Sequence, residues 1–204
     1  MKWLAIFAGM LASVNSGQAQ SSEHLVNQTL GLEISKPAKW VHLTAEENAK
    51  NLNEAFKNDA EFQNILAKYA TIPIFAFTKF PEPYTDLNPS IKINARPIGD
   101  LAGKTGGELL ASLAPVLSKI YPDFKIEQSP QDSIIGGKAA AYVRFHYTLV
   151  TNEAQFPTTS ELWVVPNGPY FLMIGAGTRQ DEATGTREEI HSILSTIRIA
   201  PQDH

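Results

Sequence analysis

Alternating apolar and polar positions predict that much of this chain folds into β-strands. A half-buried strand buries every second side chain, so its sequence alternates with a period of two. Segments with this β-type patterning lie at residues 30–35, 72–80, 90–97, 124–128, 133–135, 138–150, 158–165 and 170–178. The sequence Pro-Asn-Gly-Pro at 166–169 predicts that the last two form an antiparallel hairpin.

Three capping boxes mark the beginnings of predicted helices. In each one, a threonine hydroxyl and a glutamate carboxylate three residues later can satisfy free backbone N–H groups of the first turn. The pairs are Thr44 with Glu47, Thr105 with Glu108 and Thr186 with Glu189. Apolar residues at helical spacing follow each box, and a further amphipathic segment lies at 62–69. Pro115 predicts a kink or a restart in the second helix.

Length and composition fit one ordinary globular domain. The chain has 204 residues, of which 43% are hydrophobic, and its formal net charge is -4. This acidic balance argues against a nucleic-acid-binding surface. No linker follows residue 30. We therefore expect a single α+β domain at 30–200, with a flexible leader at 20–29 before it and a short tail at 201–204 after it.

The first residues of the chain have the pattern of a secretory signal peptide. Lys2 precedes an apolar stretch of about 12 residues, which is shorter than the roughly 20 that a membrane-spanning helix needs. Small residues at Gly17 and Ala19 suit a cleavage site, so we expect signal peptide 1–19 to be removed after Ala19. No later segment is long and apolar enough to span a membrane. The sequence therefore predicts a periplasmic or secreted protein that is soluble after cleavage.

The order of these turn, strand and helix motifs resembles the PsbP-like superfamily. Pro37 and Trp40 follow the first strand, a helical segment comes next, and Ile-Gly-Gly-Lys at 135–138 leads into a long strand. The last helix closes in Ile-Leu-Ser-Thr-Ile-Arg-Ile at 193–199. The superfamily includes the PsbP protein of photosystem II, Ran-binding Mog proteins and DcrB-type bacterial envelope proteins. The resemblance implies an α/β/α sandwich around an antiparallel sheet, and a non-enzymatic module that docks onto other macromolecules.

Motifs for catalysis, cofactors and metals are weak or missing in the sequence. The chain has no cysteine, which excludes disulfides, cysteine-ligated zinc and a thiol nucleophile. Gly99 and the Gly-Lys-Thr at 103–105 resemble a phosphate-binding loop, but their spacing is one residue too short. The histidines lack the spacing of a helical metal site, and no Gly-x-Ser-x-Gly elbow occurs. We therefore expect no cofactor, no metal and no catalytic residue.

Two predicted strands each carry one polar and positively charged face, although the chain as a whole is acidic. On the strands at 90–97 and 138–150, polar side chains alternate with apolar ones. The candidate surface residues are Lys92, Arg96, Tyr142, Arg144 and His146. We expect them to offer a docking surface to an acidic envelope protein or an anionic ligand. Two alternatives stay open: an ordinary solvated face, or pairing of these charges with Glu161 on the following strand.

The sequence leaves three functional hypotheses. The first is an exported, non-enzymatic adaptor of the cell envelope that docks onto another macromolecule. The second is a periplasmic binder of a small ligand in an aromatic-lined pocket. Candidate lining residues are Trp40, Phe75, Phe77, Trp163 and Tyr170. The third is a hydrolase whose active-site residues are dispersed along the chain. We favour the first, because the resemblance implies it and no catalytic motif supports the third.

Overall fold

Strands dominate the fold. The computed structural model describes residues 21–55, 73–121, 123–151 and 154–201. The strands of this part of the chain are β1 (Ser22–Asn27), β2 (Leu32–Pro37), β3 (Val41–His42), β4 (Phe75–Thr78), β5 (Ser90–Pro97), β6 (Lys125–Ile135), β7 (Lys138–Val150), β8 (Gln155–Asn167), β9 (Tyr170–Arg179) and β10 (Arg198–Ile199). Its helices are α1 (Ala45–Ala55), α2 (Gly106–Ile120) and α3 (Arg187–Leu194), with a short 3-10 helix at Gly99–Leu101.

The strands form two antiparallel sheets. The large sheet has the strand order β3-β4-β5-β9-β8-β7-β6, and the small sheet has the order β1-β2-β10. From β6 to β9 each strand pairs with the next one along the chain, as the predicted hairpin requires. Gly168 in the turn between β8 and β9 has a φ of 62°, which glycine adopts without steric cost.

Apolar side chains cover the large sheet on both of its faces. On the face that we call the α2 face, Leu109 and Leu110 of α2 pack in one core cluster with Val143, Phe145 and Val164 of the sheet. On the opposite face, the α3 face, residues of α3 and of the small sheet pack against the large sheet. This second cluster includes Leu32, Ile34, Trp163, Ile174, Ile190 and Ile193. The α+β class predicted from the sequence is confirmed, with a single antiparallel sandwich.

The predicted flexible leader at 20–29 is wrong for most of its length, because Ser22–Asn27 forms β1. This strand pairs with β2 over its whole length, from Ser22 opposite Pro37 to Asn27 opposite Leu32. β1 lies at the edge of the small sheet, where Leu25 packs against the core while the preceding residues of the strand are exposed. An edge strand of this kind has the polar composition of a loop, so the sequence pattern did not reveal it.

The capping boxes of α1 and α2 form as predicted. The Thr44 amide donates to the Glu47 carboxylate at 2.7 Å, and the Glu47 amide donates to the Thr44 hydroxyl at 3.1 Å. Thr105 and Glu108 make the same reciprocal pair at the beginning of α2. Pro115 lies inside α2, which continues as one helix from Gly106 to Ile120 rather than restarting.

The third capping box forms only in part. The Thr186 hydroxyl accepts a hydrogen bond from the Glu189 amide at 3.2 Å, which caps α3. The Glu189 carboxylate instead accepts a hydrogen bond from Trp40 Nε1 at 3.0 Å and contacts Lys79 Nζ at 2.7 Å. The Glu189 side chain therefore makes tertiary contacts in place of the second hydrogen bond of the capping box. These contacts connect α3 to the segments around β3 and β4.

One bulged strand, β6, replaces the two short strands predicted at 124–128 and 133–135. Its register against β7 shifts between Ile126 and Gln128 and again between Gln128 and Gln131, and it is regular from Gln131 to Ile135. Each shift places an extra residue in β6, as a β-bulge does. The polar residues around these bulges interrupt the alternation, which is why the sequence pattern indicated two strands.

Two further predictions concern residues that are not described: the signal peptide at 1–19 and the amphipathic segment at 62–69 lie outside the described ranges. The same is true of residues 202–204 in the predicted tail. None of the helices formed by the described residues has the length and apolar character that a bilayer crossing requires.

Candidate binding site

The five candidate surface residues divide between the two faces of the large sheet. Residues directly opposite each other on neighbouring strands point to the same face. Across β9 and β8, the register connects Lys92 with Val143, which packs with α2. The same register connects Arg144 with Ile91, which belongs to the α3-face core. The α2 face therefore carries Lys92 and Arg96, the α3 face carries Tyr142, Arg144 and His146, and the predicted single surface does not form.

Lys92 and Arg96 are half-buried on the α2 face. Burial lowers the pKa of Lys92, and the nearby carboxylate of Glu82 raises it by less. A desolvated ammonium group is a weak docking element, because its charge is already costly where it stands. Both residues lie on the face opposite to the site described below, so they take no part in it.

An open pocket of about 580 Å³ lies on the α3 face, beside the end of α3. Strands β6, β7 and β8 supply part of its lining, and α3, β10 and the turn between β6 and β7 supply the rest. We call it the α3-face pocket, and its polar and aromatic lining includes Gln131, Ser133, Tyr142, Arg144, Trp163, His191 and Arg198. Two of the sequence candidates on this face, Tyr142 and Arg144, thus lie in one concave site.

A buried carboxylate is held beside this pocket. Glu161 of β8 is 2% exposed. The Tyr142 hydroxyl donates to its Oε1 at 2.5 Å, and His191 Nε2 lies 3.0 Å from both of its oxygens. A buried carboxylate is stable only when it is hydrogen-bonded or paired, and Tyr142 and His191 meet that requirement. The Glu161 carboxylate therefore interacts with these two side chains and is not exposed to solvent.

This arrangement shifts the pKa of both partners of Glu161. The hydrogen bond to Glu161 raises the pKa of His191, although partial burial and the cations Arg144 and Arg187 oppose the shift. Burial, together with the hydrogen bond to Glu161, raises the pKa of Tyr142 well above its usual value. Tyr142 therefore stays a neutral phenol, and His191 gains a proton more readily than a free histidine.

A second charged group lies near the pocket, between β6 and β7. The Glu127 carboxylate accepts a hydrogen bond from Arg144 Nε at 2.8 Å and contacts His146 Nε2 at 2.9 Å. The other ring nitrogen of His146 lies 3.0 Å from the Thr159 hydroxyl. The alternative that the charged residues of the candidate surface pair with Glu161 is therefore only partly correct. Glu161 lies directly opposite Arg144 in the register, but the Arg144 hydrogen bond goes to Glu127.

Arg198 differs from the other basic residues of the pocket in its contacts. Its Nη1 donates to the backbone carbonyls of Ser195 at 3.0 Å and Ile197 at 2.7 Å. Among the described residues, none of the ion pairs involves Arg198, and none of the pocket-lining residues is Asp or Glu. Arg198 therefore forms no ion pair within the described part of the chain, although Glu33 of β2 lies opposite it in the register of the small sheet.

Other candidate chemistry does not converge here. Within the described ranges, no group of three His, Asp or Glu side chains is placed to hold a metal ion. Of the aromatic residues proposed to line a ligand pocket, Trp163 lines the α3-face pocket. The remaining ones, Trp40, Phe75, Phe77 and Tyr170, lie in or against the hydrophobic core.

Sequence reasoning missed His191 and Arg198. His191 lies on α3 and Arg198 on β10, so the strand parity that identified Tyr142 and Arg144 does not apply to them. The available signal was the closing motif at 193–199, because an arginine next to two buried isoleucines must point away from the core.

Comparison with solved structures gives the fold. The solution structure of the cyanobacterial PsbP protein (CyanoP) from Synechocystis sp. PCC 6803 matches with a TM-score of 0.53 and 12% identity, over 94% of this chain and 100% of that one. The chain has the PsbP-like fold. The crystal structure of LpqN, a Mycobacterium tuberculosis protein involved in cell envelope biogenesis, matches with a TM-score of 0.52 and 15% identity, over 89% of this chain and 91% of that one.

The resemblance stated from the sequence motifs is therefore confirmed at the level of the PsbP-like fold. No protein-family model matches the sequence, and no curated protein matches it. A shared fold hosts many functions, so the function is inferred from the chemistry of the site itself.

Proposed function

We propose that this chain is an exported, non-enzymatic binding protein of the cell envelope, which docks an acidic segment of another envelope protein at the α3-face pocket. The observation that carries the proposal is the charge arrangement of this pocket. Its lining contains Arg198, which forms no ion pair within the described residues, and also Arg144 and His191, which are paired with Glu127 and Glu161 outside the lining; none of the lining residues is itself a carboxylate. Complementary charge of this kind attracts an acidic partner and fixes its orientation.

The N-terminal sequence and one structural relative support the location. The apolar stretch and small residues of 1–19 suit an export signal. LpqN, which shares the fold, is described as involved in cell envelope biogenesis. Both point to the envelope as the place where this chain would meet its partner.

Contacts around His191 favour binding over hydrolysis. A serine hydrolase of the Ser-His-acid type needs a serine hydroxyl hydrogen-bonded to the imidazole. Ser195 lines the same pocket, but its hydroxyl donates to the Ser192 carbonyl at 2.7 Å. The imidazole of His191 is engaged with Glu161 through Nε2. These contacts are explained without catalysis if His191 serves to pair with the buried Glu161 carboxylate.

Affinity purification with charge-reversed variants tests this function. The mature protein carries a C-terminal tag and is recovered from detergent-solubilised envelopes, and attached proteins are quantified by mass spectrometry. We expect one envelope protein whose recovery falls about tenfold with Arg198→Glu, and also falls as salt rises, because exposed charge pairs are screened.

The matched control is Lys104→Glu, an exposed lysine just before α2, which leaves recovery within about twofold. Melting curves show whether each variant is folded. Because the Arg198 side chain also donates to two backbone carbonyls, Ser133→Glu supplies a second variant, which adds a negative charge to the pocket and leaves Arg198 in place. Equal recovery of the partner by wild type, Arg198→Glu and Ser133→Glu would refute docking at this pocket.

A small anionic ligand is the second candidate, and the pocket volume is the observation that favours it. About 580 Å³ lies within the ~300–1,000 Å³ usual for ligand pockets. A thermal-shift series with citrate and with inorganic phosphate tests it. This candidate predicts a concentration-dependent rise in Tm that Arg198→Glu abolishes and Lys104→Glu retains. A Tm that stays constant with both anions would exclude it for these ligands.

A further inference from the structure

We propose that the acidic partner segment binds as an added β-strand along the edge of β6, from Gln131 to Ile135. This inference rests on the proposed function, because it specifies how a partner at the α3-face pocket is held. An extended peptide that joins a sheet edge gains main-chain hydrogen bonds for affinity and uses alternate side chains for specificity. β6 is the last strand of the large sheet in the described part of the chain, next to the pocket.

The C-terminal half of β6 is the part of this edge that suits strand addition. From Gln131 to Ile135 the strand pairs regularly with β7, without bulges. Residues 129–132 are exposed, and Ile134 is 75% exposed. In a regular edge strand, every second residue directs its N–H and C=O away from the sheet. The bulges and Pro130 protect the other half of β6, so the docking segment is short.

The two faces of this segment require different side chains from the partner. Gln131 and Ser133 lie on the α3 face and line the pocket, since they are opposite Tyr142 and Ala140. The side chains of Asp132 and Ile134 belong to the α2 face, since these residues are opposite Ala141 and Ala139, although Ile134 also borders the pocket at the strand edge. A strand added beside them alternates in the same way, one side chain toward the pocket and the next beside Ile134.

Charge decides which residue belongs on each face. Toward the pocket, a carboxylate meets a lining that contains Arg198 of β10 and, on β7, Arg144, which is paired with Glu127. An added strand lies about 10 Å from β7, two strand spacings, so a long acidic side chain and an arginine can approach each other. On the α2 face, the carboxylate of Asp132 repels acidic side chains of the partner, and the exposed Ile134 favours an apolar side chain beside it. The partner segment that fits therefore alternates acidic and β-branched residues.

The probe is a labelled, end-capped peptide, Val-Glu-Val-Glu-Val, whose binding to the mature protein is measured by fluorescence anisotropy. Its Lys-for-Glu counterpart tests the charge. We expect the Glu peptide to bind, with affinity reduced about tenfold by Arg198→Glu or Ser133→Glu and changed less than twofold by Lys104→Glu. The Lys peptide binds at least tenfold more weakly. Equal binding of the Glu and Lys peptides would overturn the inference.

Two N-methylated forms of the Glu peptide test the strand geometry itself. In an extended peptide, the amides of the two Glu residues point to one edge and those of the Val residues to the other. Methylating the two Glu amides blocks one edge, and methylating the second and third Val amides blocks the other. We expect one form to lose at least tenfold in affinity and the other to bind as the parent does. Equal affinities of the two forms would contradict strand addition.

These outcomes separate the inference from the proposed function. If recovery of the envelope partner depends on Arg198 and Ser133 but both methylated peptides bind alike, the pocket is the docking site and the strand mode is wrong. If partner recovery is independent of those residues, the proposed function fails whatever the peptides do. Absence of any measurable binding by the Glu peptide counts against the strand mode.

Discussion

At the scale of single residues, the buried carboxylate of Glu161 determines what its neighbours must be. The group is 2% exposed, so its oxygens depend on the hydrogen bond that Tyr142 donates and on His191 Nε2, which lies 3.0 Å away. Removing one partner leaves the charge incompletely satisfied in a medium that solvates it poorly. The stability of this part of the sheet therefore depends on polar side chains that the binding proposal also uses.

Tyr142→Phe tests this dependence. The substitution keeps the ring, which packs against Trp163 at a centroid distance of 4.9 Å, and removes the hydroxyl that reaches Glu161. We expect the free energy of unfolding to fall by about 1.5–3 kcal/mol, the usual contribution of a hydrogen bond to a charged group. Urea denaturation measures it. Tyr170→Phe, at a half-buried tyrosine against the same core, is the control, with an expected change under about 0.5 kcal/mol. Equal effects of both substitutions would contradict the account.

His191 predicts a pH dependence of stability with a definite sign. Its pKa is raised in the folded protein, chiefly by the hydrogen bond to Glu161. The protonated form is thus favoured by folding, and its contribution is fully present below the unfolded pKa of about 6.5 and lost as pH rises through the folded pKa. Urea midpoints of wild type and His191→Gln should differ most at pH 6 and converge by pH 9. A difference that grows with pH would contradict the assignment.

At the scale of elements, the turn between β6 and β7 places one wall of the pocket against β10. Gly136 and Gly137 both have positive φ, at 57° and 81°. A Cβ on Gly136 would lie 2.7 Å from Ile199 Cγ1, whereas a Cβ on Gly137 would meet nothing within 4 Å. The two glycines therefore have different roles, since Gly136 allows close packing on β10 and Gly137 only permits the turn.

Alanine at each of these glycines separates the two roles. Gly137→Ala should cost about 1–2 kcal/mol of stability for the left-handed backbone alone. Gly136→Ala should cost about 1–3 kcal/mol more, because it also forces β10 to move. Thermal or urea unfolding of both variants measures the difference. Should Gly137→Ala prove as damaging as Gly136→Ala, the packing of this turn on β10 would be unimportant for stability.

Elements with a local signal were predictable from the sequence, and their tertiary relations were not. The strand alternation and the boxes at Thr44 and Thr105 depend on neighbours in the chain, so β7, β9, α1 and α2 lie close to where they were expected. Parity divides the residues of one strand between two faces, but it does not relate the faces of different strands. The register across β9 and β8 places Lys92 on the side opposite to Arg144. The Glu189 carboxylate likewise contacts Trp40 and Lys79 and does not complete the predicted capping box.

At the scale of the whole molecule, the two faces of the large sheet are covered by different elements. α2 packs on one face, while α3 and the small sheet pack on the other. The α3-face pocket lies over the β6 end of the sheet, where β6, β7 and β8 contribute to its lining. The fold thus gives an exposed sheet edge next to a concave site in which Arg198 forms no ion pair within the described residues, which is the combination that the docking proposal needs.

Site-specific photocrosslinking in the cell shows directly whether an envelope protein docks at the α3-face pocket. The full-length chain, with its own N-terminal sequence, carries a photoreactive phenylalanine analogue at Gln131 beside the pocket or at Ser118, an exposed position on α2. We expect one dominant envelope-protein adduct from position 131, reduced about tenfold when Arg198→Glu is added, and little of that adduct from position 118. Crosslinking of the same partner with equal yield from both positions, unaffected by Arg198→Glu, would contradict docking at this pocket.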